Sequence, residues 1–533
     1  MKRMRPILPL AAILIILTST CSIAQTVPNI RVSSPWESPE EVTIALNPLN
    51  PRNLLAAANL SFYAYSNDGG YTWTEKHLTS QYGVWGDPSV IFDPAGNAYI
   101  GHLSNPSSGY WLDRLVVHKS SDGGVNWNDG ASIGAVPPTQ QDKEWLIADA
   151  SRTPSRNNLY MCWTQFDKYA SKLPKDSSRI LFCRSTDFGA TWSAAVRVSD
   201  RAGDCLDLDS TVQGAVPAVG PEGEIYTSWS GADGILFDKS TDGGLTFGAD
   251  RFVTDQPGGW DIAIPGLQRC NGFPVTLCDL SDSSRRGSIY IIWADQRNGA
   301  DNTDIFLARS TDRGSTWSAR RRVNQDIGVA QQFFHWATID QSNGDLYVVY
   351  YDRRAAKGLE TEVYVAKSAD GGETFTDMKV SRAPFTPDVS VFLGDYIGIA
   401  ALNGVAHPIW SRLDSGRVSV WTAIIGDSAR AGIVRDDAGR EGAMGILDAS
   451  FEPFSSFAKI YLTLPSDLHI TVAIHNSLGQ PVATLADGDY PSGLTTLWWN
   501  GMDSAGRPAP NGMYFVVMTS GERQFTRKVM VVR

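Results

Sequence analysis

The sequence predicts an all-β protein, a ring of four-stranded blades followed by a small β-sandwich. Three observations lead there. A turn motif recurs six times, an aromatic strand motif recurs upstream of it, and the composition changes after about residue 425. Repetition of one supersecondary unit at a period of about 58 residues marks a propeller or solenoid, and short strands between turn residues favour the propeller. The 533 residues are 42% hydrophobic and 10% aromatic, enough to bury a large core. Asp and Glu number 57 against 46 Lys and Arg, a net charge of -11. That balance argues against a nucleic-acid partner, which would require a basic patch.

At the start, Lys2, Arg3 and Arg5 precede the apolar run 6–17, and Ser22-Ile23-Ala24 offers the small residues a signal peptidase reads. Residues 1–24 are therefore expected to be a signal peptide, with the mature chain beginning at Gln25. No later apolar run is long enough to span a bilayer, so no transmembrane segment is expected in the mature chain. Export would leave Cys162, Cys183, Cys205, Cys270 and Cys278, an odd set that allows at most two bridges. Cys205 and Cys270 fall in comparable loops between repeats, which makes a bridge between them conceivable.

The turn motif reads SNDGGYTW from Ser66, SSDGGVNW from Ser120, STDFGATW from Ser185, STDGGLTF from Ser240, STDRGSTW from Ser310 and SADGGETF from Ser368. Its Asp can accept hydrogen bonds from the following backbone N–H groups, and its Gly permits positive φ. The upstream pattern is Tyr160-x-x-Trp163, Tyr226-x-x-Trp229, Tyr290-x-x-Trp293 and Tyr347-x-x-Tyr350, with Tyr99-x-x-His102 as a variant. Aligned units give an inner strand such as DPSVIFDP, a second such as SIYIIWAD, a third such as DIFLARS and an outer strand such as AAVRVSD. Six units follow this order. A seventh, from Gly394, has three strands and no turn motif, and its missing outer strand resembles NIRVSS from Asn29. Pairing the two would close a ring without free edges. Seven blades are expected, with six as the alternative.

The pattern S-x-D-x-G-x-[TN]-[WF] is that of the Asp-box, or BNR repeat, and residues 25–425 resemble the sialidase-like superfamily of β-propellers. In that superfamily the boxes lie opposite the active site, and non-catalytic members carry them too.

From Gly426 to Gly445 the chain is rich in Gly, Ala, Asp and Arg without strand periodicity, a linker pattern. Residues 446–533 then carry FEPF, KIYLTLP, NSLGQPVATL and WNGMDSAGRPAPNGMYF. This region resembles the C-terminal sorting domain of type IX secretion substrates and the related Ig-like domain of flagellar hook-capping proteins. The resemblance implies delivery across the outer membrane of a didermal bacterium by the type IX machinery, to the medium or the cell surface.

In such a ring the loops entering each inner strand and those joining second to third strands share one face. Inner-strand entries supply Asp87, Glu144, His335, Asp395 and Tyr396; second loops supply Asp167, Asp295, Arg297, Asp352, Arg353, Arg354 and Arg412. A glycoside hydrolase needs an acid and a nucleophile or base flanking the scissile bond. The sialidase resemblance implies a tyrosine nucleophile assisted by a glutamate, an aspartate acid/base, and three arginines gripping a substrate carboxylate. Tyr396, Glu144 and Asp87 match the catalytic roles by residue type. Arg297, Arg354 and Arg412 match the grip, with Asp295, Asp352, His335 and Asp395 as further substrate-binding candidates. No F-R-I-P-like segment supplies the first arginine of that family, and catalytic sialidases have six blades. Two functions therefore stand side by side: an exo-glycosidase on acidic sugars of extracellular glycans, and a non-catalytic surface lectin or adhesion module.

Other signals lead elsewhere. GASIG from Gly130 follows a box instead of opening a helix, so it is no hydrolase elbow. Asp204, Asp207 and Asp209 could ligate calcium, but the run lacks the Gly and terminal Glu of an EF-hand. The seven histidines are scattered without H-E-x-x-H, which argues against zinc, and no cofactor is expected.

Overall fold

A computed structural model of the chain describes residues 27–426 and, further on, 445–451, 458–464, 466–491, 493–521 and 523–531. The expected signal peptide and nearly all of the expected linker lie outside these residues. The chain divides into two compact units, 1–425 and 426–533.

The first unit is all-β, a propeller-like arrangement of seven four-stranded antiparallel sheets. Six of them run in chain order over residues 43–77, 86–133, 140–197, 213–254, 275–322 and 332–379. The seventh combines three strands within 398–423 with Asn29–Arg31, which pairs as Asn29 with Ala423, Ile30 with Thr422 and Arg31 with Trp421. Inner strands of consecutive sheets touch, and Gly398–Leu402 of the seventh touches Thr43–Leu46 of the first.

The aromatic strand motif is the core between sheets. Residues i and i+3 of a strand face opposite sides, so the Tyr of one sheet meets the Trp of the next. Tyr99 shares an apolar layer with Trp163, Tyr160 with Trp229, and Tyr226 with Trp293, every one of them fully buried. Burying an aromatic of this size contributes roughly 2–3 kcal/mol.

The boxes form turns between third and outer strands. In the fifth sheet, Asp312 Oδ1 accepts from Ser310 Oγ (2.8 Å), Ser315 N (3.0 Å) and Thr316 N (2.9 Å), and Oδ2 accepts from Thr316 Oγ1 (2.6 Å). These bonds, the Thr316 hydroxyl first, hold the Asp312 carboxyl down at about 2. The next glycine of the box has φ of +76° at Gly314, and a Cβ there would meet Phe237 of the preceding sheet at 2.3 Å. Gly189 packs on Tyr99 and Gly244 on Phe182 in the same way, and Gly70 of the first box meets His407 of the seventh sheet.

The second unit has a three-stranded and a four-stranded sheet. Alternate residues Ile470, Val472 and Ile474 lie beside Tyr514, Val516 and Met518 of the adjacent strand in one core, as period-two strands require. Trp499 donates Nε1–H to Met502 O (2.8 Å), Asp503 accepts from Ala505 N and Arg507 N, and Tyr514 donates to Pro510 O (2.9 Å). The W-x-G-x-D run is thereby a tethered turn.

Among the described residues the five thiols Cys162, Cys183, Cys205, Cys270 and Cys278 are unpaired and buried, so the Cys205–Cys270 bridge does not form.

Candidate functional site

The site begins with a backbone irregularity. Four inner strands carry a bulge, between Gly86 and Ser89, Asp142 and Trp145, Gln213 and Val216, and Phe333 and Trp336. Each bulge holds one residue at positive φ: Asp87 (49°), Lys143 (51°), Gly214 (77°) and Phe334 (46°). Glu41 (58°) and Gly394 (100°) do the same just before two further inner strands. A non-glycine residue there costs about 1 kcal/mol or more, and a bulge re-aims its side chain. The result is that Glu41, Asp87 and Lys143 converge with Asp395.

Lys143 Nζ lies 2.8 Å from Asp87 Oδ2, 2.6 Å from Asp395 Oδ2 and 3.6 Å from Glu41 Oε1. Arg269 reaches Asp395 through Nε (2.7 Å) and Nη2 (2.5 Å). Asn59 donates to Glu41 and accepts from Asp87 N (2.6 Å), while Asn271 Nδ2 donates to Asp395 O (2.8 Å). Burial disfavours every charge here, yet Lys143 and Arg269 outweigh it at Asp395 and hold that carboxyl at about 2. Asp395 and Asp87 likewise overcome burial to keep Lys143 protonated. Glu41 goes the other way, pushed well up by burial and by Asp87.

Above this network opens a cavity of about 280 Å³. Its wall includes Trp85, Trp111 and Tyr169, with Trp111 edge-on to Trp85 (6.2 Å between ring centres) and to Tyr169 (5.6 Å). Asp87, Asp142, Asp207, Asp261 and Asp395 contribute carboxyl groups. Burial pushes the Asp142 carboxyl up to about 7, with Lys143 pulling down and Asp87 pushing further up. Asp142 accepts from Gln213 Nε2 (3.2 Å) and from Lys143 N (2.9 Å). An aspartic acid half-protonated near neutral pH, in an open aromatic cavity, can deliver a proton to a bound molecule.

A smaller adjoining cavity of about 40 Å³ is lined by Glu144, Tyr396, His335 and Trp336, along with Asp87, Lys143 and Asp395. Neither carboxyl oxygen of Glu144 nor the Tyr396 hydroxyl has a hydrogen-bond partner among the described residues. Burial raises both groups, so each stays neutral. His335 is likewise neutral, its ring lowered to about 4 by burial, and it contacts Ile292 O at 3.1 Å. Trp145 packs between Trp336 (4.4 Å) and Tyr396 (5.3 Å).

Of the residues expected from sequence, Asp87, Glu144, His335, Asp395 and Tyr396 are thus brought around two adjoining cavities. The structure does not bring Arg297, Arg354 and Arg412 together. Each pairs with an aspartate two residues away and lies over an aromatic ring of its own sheet: Arg297 with Asp295 over Phe306, Arg354 with Asp352 over Tyr364, Arg412 with Asp414 over Trp421. Asp167 pairs with Arg179, and Arg353 hydrogen-bonds Gln331 Oε1 and Pro265 O. Local charge pairing and cation–π contact thus engage each of the three guanidinium groups separately.

Asp204, Asp207 and Asp209 also part company. Asp204 accepts from Thr211 Oγ1, Asp207 from Tyr169 OH, and Asp209 from Asp261 N. Among the described residues no group of three His, Cys, Asp or Glu is arranged to hold a metal ion.

Lys143, Asp142 and Trp85 were within reach of sequence reasoning, since they stand beside Glu144 and Asp87 in DKEW and WGDP. Arg269 and Glu41 gave no signal, for both lie in loops without pattern.

Residues 455–524 match the family of the FlgD Ig-like domain. No curated protein matches the chain in sequence. Among solved structures, the GH93 α-L-arabinofuranosidase of Fusarium graminearum aligns at 13% identity and TM-score 0.42, over 76% of this chain and 99% of that one. The NanB sialidase of Streptococcus pneumoniae aligns at 10% identity and TM-score 0.40, over 70% and 83%. An ulvan lyase of family PL25 aligns at 11% identity and TM-score 0.44, over 74% and 93%.

Proposed function

We propose that this chain is an exported seven-bladed propeller whose channel mouth binds and hydrolyses an extracellular glycan, with Asp142 as the proton donor. The observation that carries the reading is Asp142 itself, raised to about 7 by burial on the wall of an aromatic cavity. Aromatic faces suit the apolar faces of sugar rings, and glycosidic cleavage needs a carboxylic acid plus a second carboxylate. Asp87 and Asp207 line the same cavity and are the candidates for that second role. Asp87, Glu144 and Tyr396 acting as acid, assistant and nucleophile is less favoured. The cavity they share measures about 40 Å³, room for water but not for a sugar ring. An acidic substrate is also less favoured, because the only guanidinium on the larger cavity wall, Arg269, is already held by Asp395.

The closed seven-sheet ring is supported by the pairing of Asn29–Arg31 with the seventh sheet and by the packing of Gly70 on His407. A binding-only role is favoured by one feature, the ion pairs that occupy Asp87 and Asp395. Sugar release from a panel of oligosaccharides decides between the two. Hydrolysis is expected, with Asp142→Asn lowering turnover by about 10²–10⁴ at little change in affinity. Wild-type turnover should fall as pH rises through about 7, where Asp142 loses its proton. Binding without turnover would leave a lectin.

The Ig-like unit is proposed as the type IX sorting domain, placing the protein outside a didermal cell. Removal of residues 446–533 should leave the first unit folded and retained in the periplasm, as cell fractionation would show. Normal surface delivery of the truncated chain would assign that unit another purpose.

A further inference from the structure

We infer that the mouth cavity selects an amine-bearing sugar residue over acidic and neutral ones; the inference rests on the glycan reading above. Five carboxyl groups line the cavity against two cations, and both cations are already held, Lys143 by Asp87 and Asp395 and Arg269 by Asp395. Asp142, Asp207 and Asp261 remain on the wall without an ion pair among the described residues. Asp261 is exposed; after burial the charges of Asp209 and Asp207 raise its carboxyl, Arg269 lowers it and Asp395 raises it further. Repulsion of that kind is relieved by a bound cation and aggravated by a bound anion.

A second observation is independent of the charges. Gln213 is 1% exposed and lines the cavity. Its Nε2 donates to Asp142, and its Oε1 has no hydrogen-bond partner among the described residues. A buried carbonyl oxygen without a donor costs free energy that a ligand N–H or O–H can recover. The wall thus offers acceptors in surplus and calls for a ligand with donors in surplus. Trp85, Trp111 and Tyr169 complete the fit, since π faces attract an ammonium group and stack on a sugar ring. An acidic sugar meets repulsion here, and a neutral one leaves the carboxylates of Asp207 and Asp261 opposed.

Titration calorimetry at pH 6 on the full mature chain tests this with four probes: a β-1,4-linked glucosamine trimer, its N-acetylated form, the corresponding glucose trimer and trilysine. The glucosamine trimer is expected to bind at least about tenfold more tightly than either uncharged trimer. Asp261→Asn, an exposed substitution, should remove most of that preference without moving the melting temperature. Equal affinity for charged and uncharged trimers would overturn the amine preference and leave the glycan reading standing. Tighter binding of trilysine than of the glucosamine trimer would overturn it in favour of a peptide amine. Failure of every sugar, in this panel and in the release assay, would sink both readings.

Discussion

The two ends of the seven sheets are built from equally repetitive backbone, yet they use it in opposite ways. At the box end, each of six turns closes with a Ser hydroxyl and the residue four positions after the Asp donating to its carboxylate, Thr in five turns and Asn126 in the other. Every carboxylate is satisfied within five residues of its own position, as at Asp312. At the mouth end, the positive-φ position recurs at Glu41, Asp87, Lys143, Gly214, Phe334 and Gly394, five residue types over six positions. Charges there are satisfied between separate sheets, and Glu144, Tyr396 and Gln213 keep polar atoms without a partner among the described residues. Equivalent backbone with identical side chains is scaffold. Equivalent backbone with divergent side chains is where a binding surface can be composed.

The largest expected effect separates the two ends most sharply. Lys143→Met should cost about 3–5 kcal/mol, because Asp87 and Asp395 would lose their buried partner, and the same change should abolish ligand binding. Denaturant unfolding and calorimetry would report both losses together. A stable, binding-competent variant would show that the ion network is not what organises the mouth.

Gly244→Ala probes the box end, where a Cβ would meet Phe182 Cε1 at 2.2 Å from a φ of +82°. We expect a loss of about 2–3 kcal/mol from overpacking and backbone strain together. Affinity measured on the surviving folded fraction should match wild type. Weakened affinity at full folding would mean the two ends are coupled.

The smallest effect is expected for Asp312→Ala, about 1 kcal/mol, comparable to losing a helix cap at a solvent-exposed position. Its carboxyl is held near 2 in the fold, below its usual value. The stabilisation is therefore present above about pH 4 and disappears as pH falls toward 2. Wild type and variant melting temperatures should converge over that window. A constant gap between them at all pH values would contradict the assigned bonds.

Much of the scaffold was legible because its contacts are local or periodic. The Ser-x-Asp-x-Gly spacing is itself the hydrogen-bond pattern of the turn. Tyr-x-x-Trp is itself the statement that one strand faces two neighbours. Less of the site was legible. Arg297 and Arg354 were expected to converge on a ligand, although each follows an aspartate by two residues, the spacing at which the structure pairs them. Glu144 drew notice in DKEW, while its neighbours Asp142 and Lys143 line the larger cavity and Glu144 lines only the smaller one.

The sequence by itself determined the all-β class, the repeated four-strand unit, the structural turns and the separate C-terminal unit, because each depends on residues a few positions apart. Only the tertiary structure decided which charges meet. Lys143 and Asp395 stand 252 positions apart and lie 2.6 Å from one another. Arg269 reaches the same carboxylate from a patternless loop, and Asp142 becomes an acid near neutral pH through burial. Spacing along a strand encodes contacts with adjacent strands, whereas the mouth is composed of side chains from separate sheets whose proximity exists once those sheets have packed side by side.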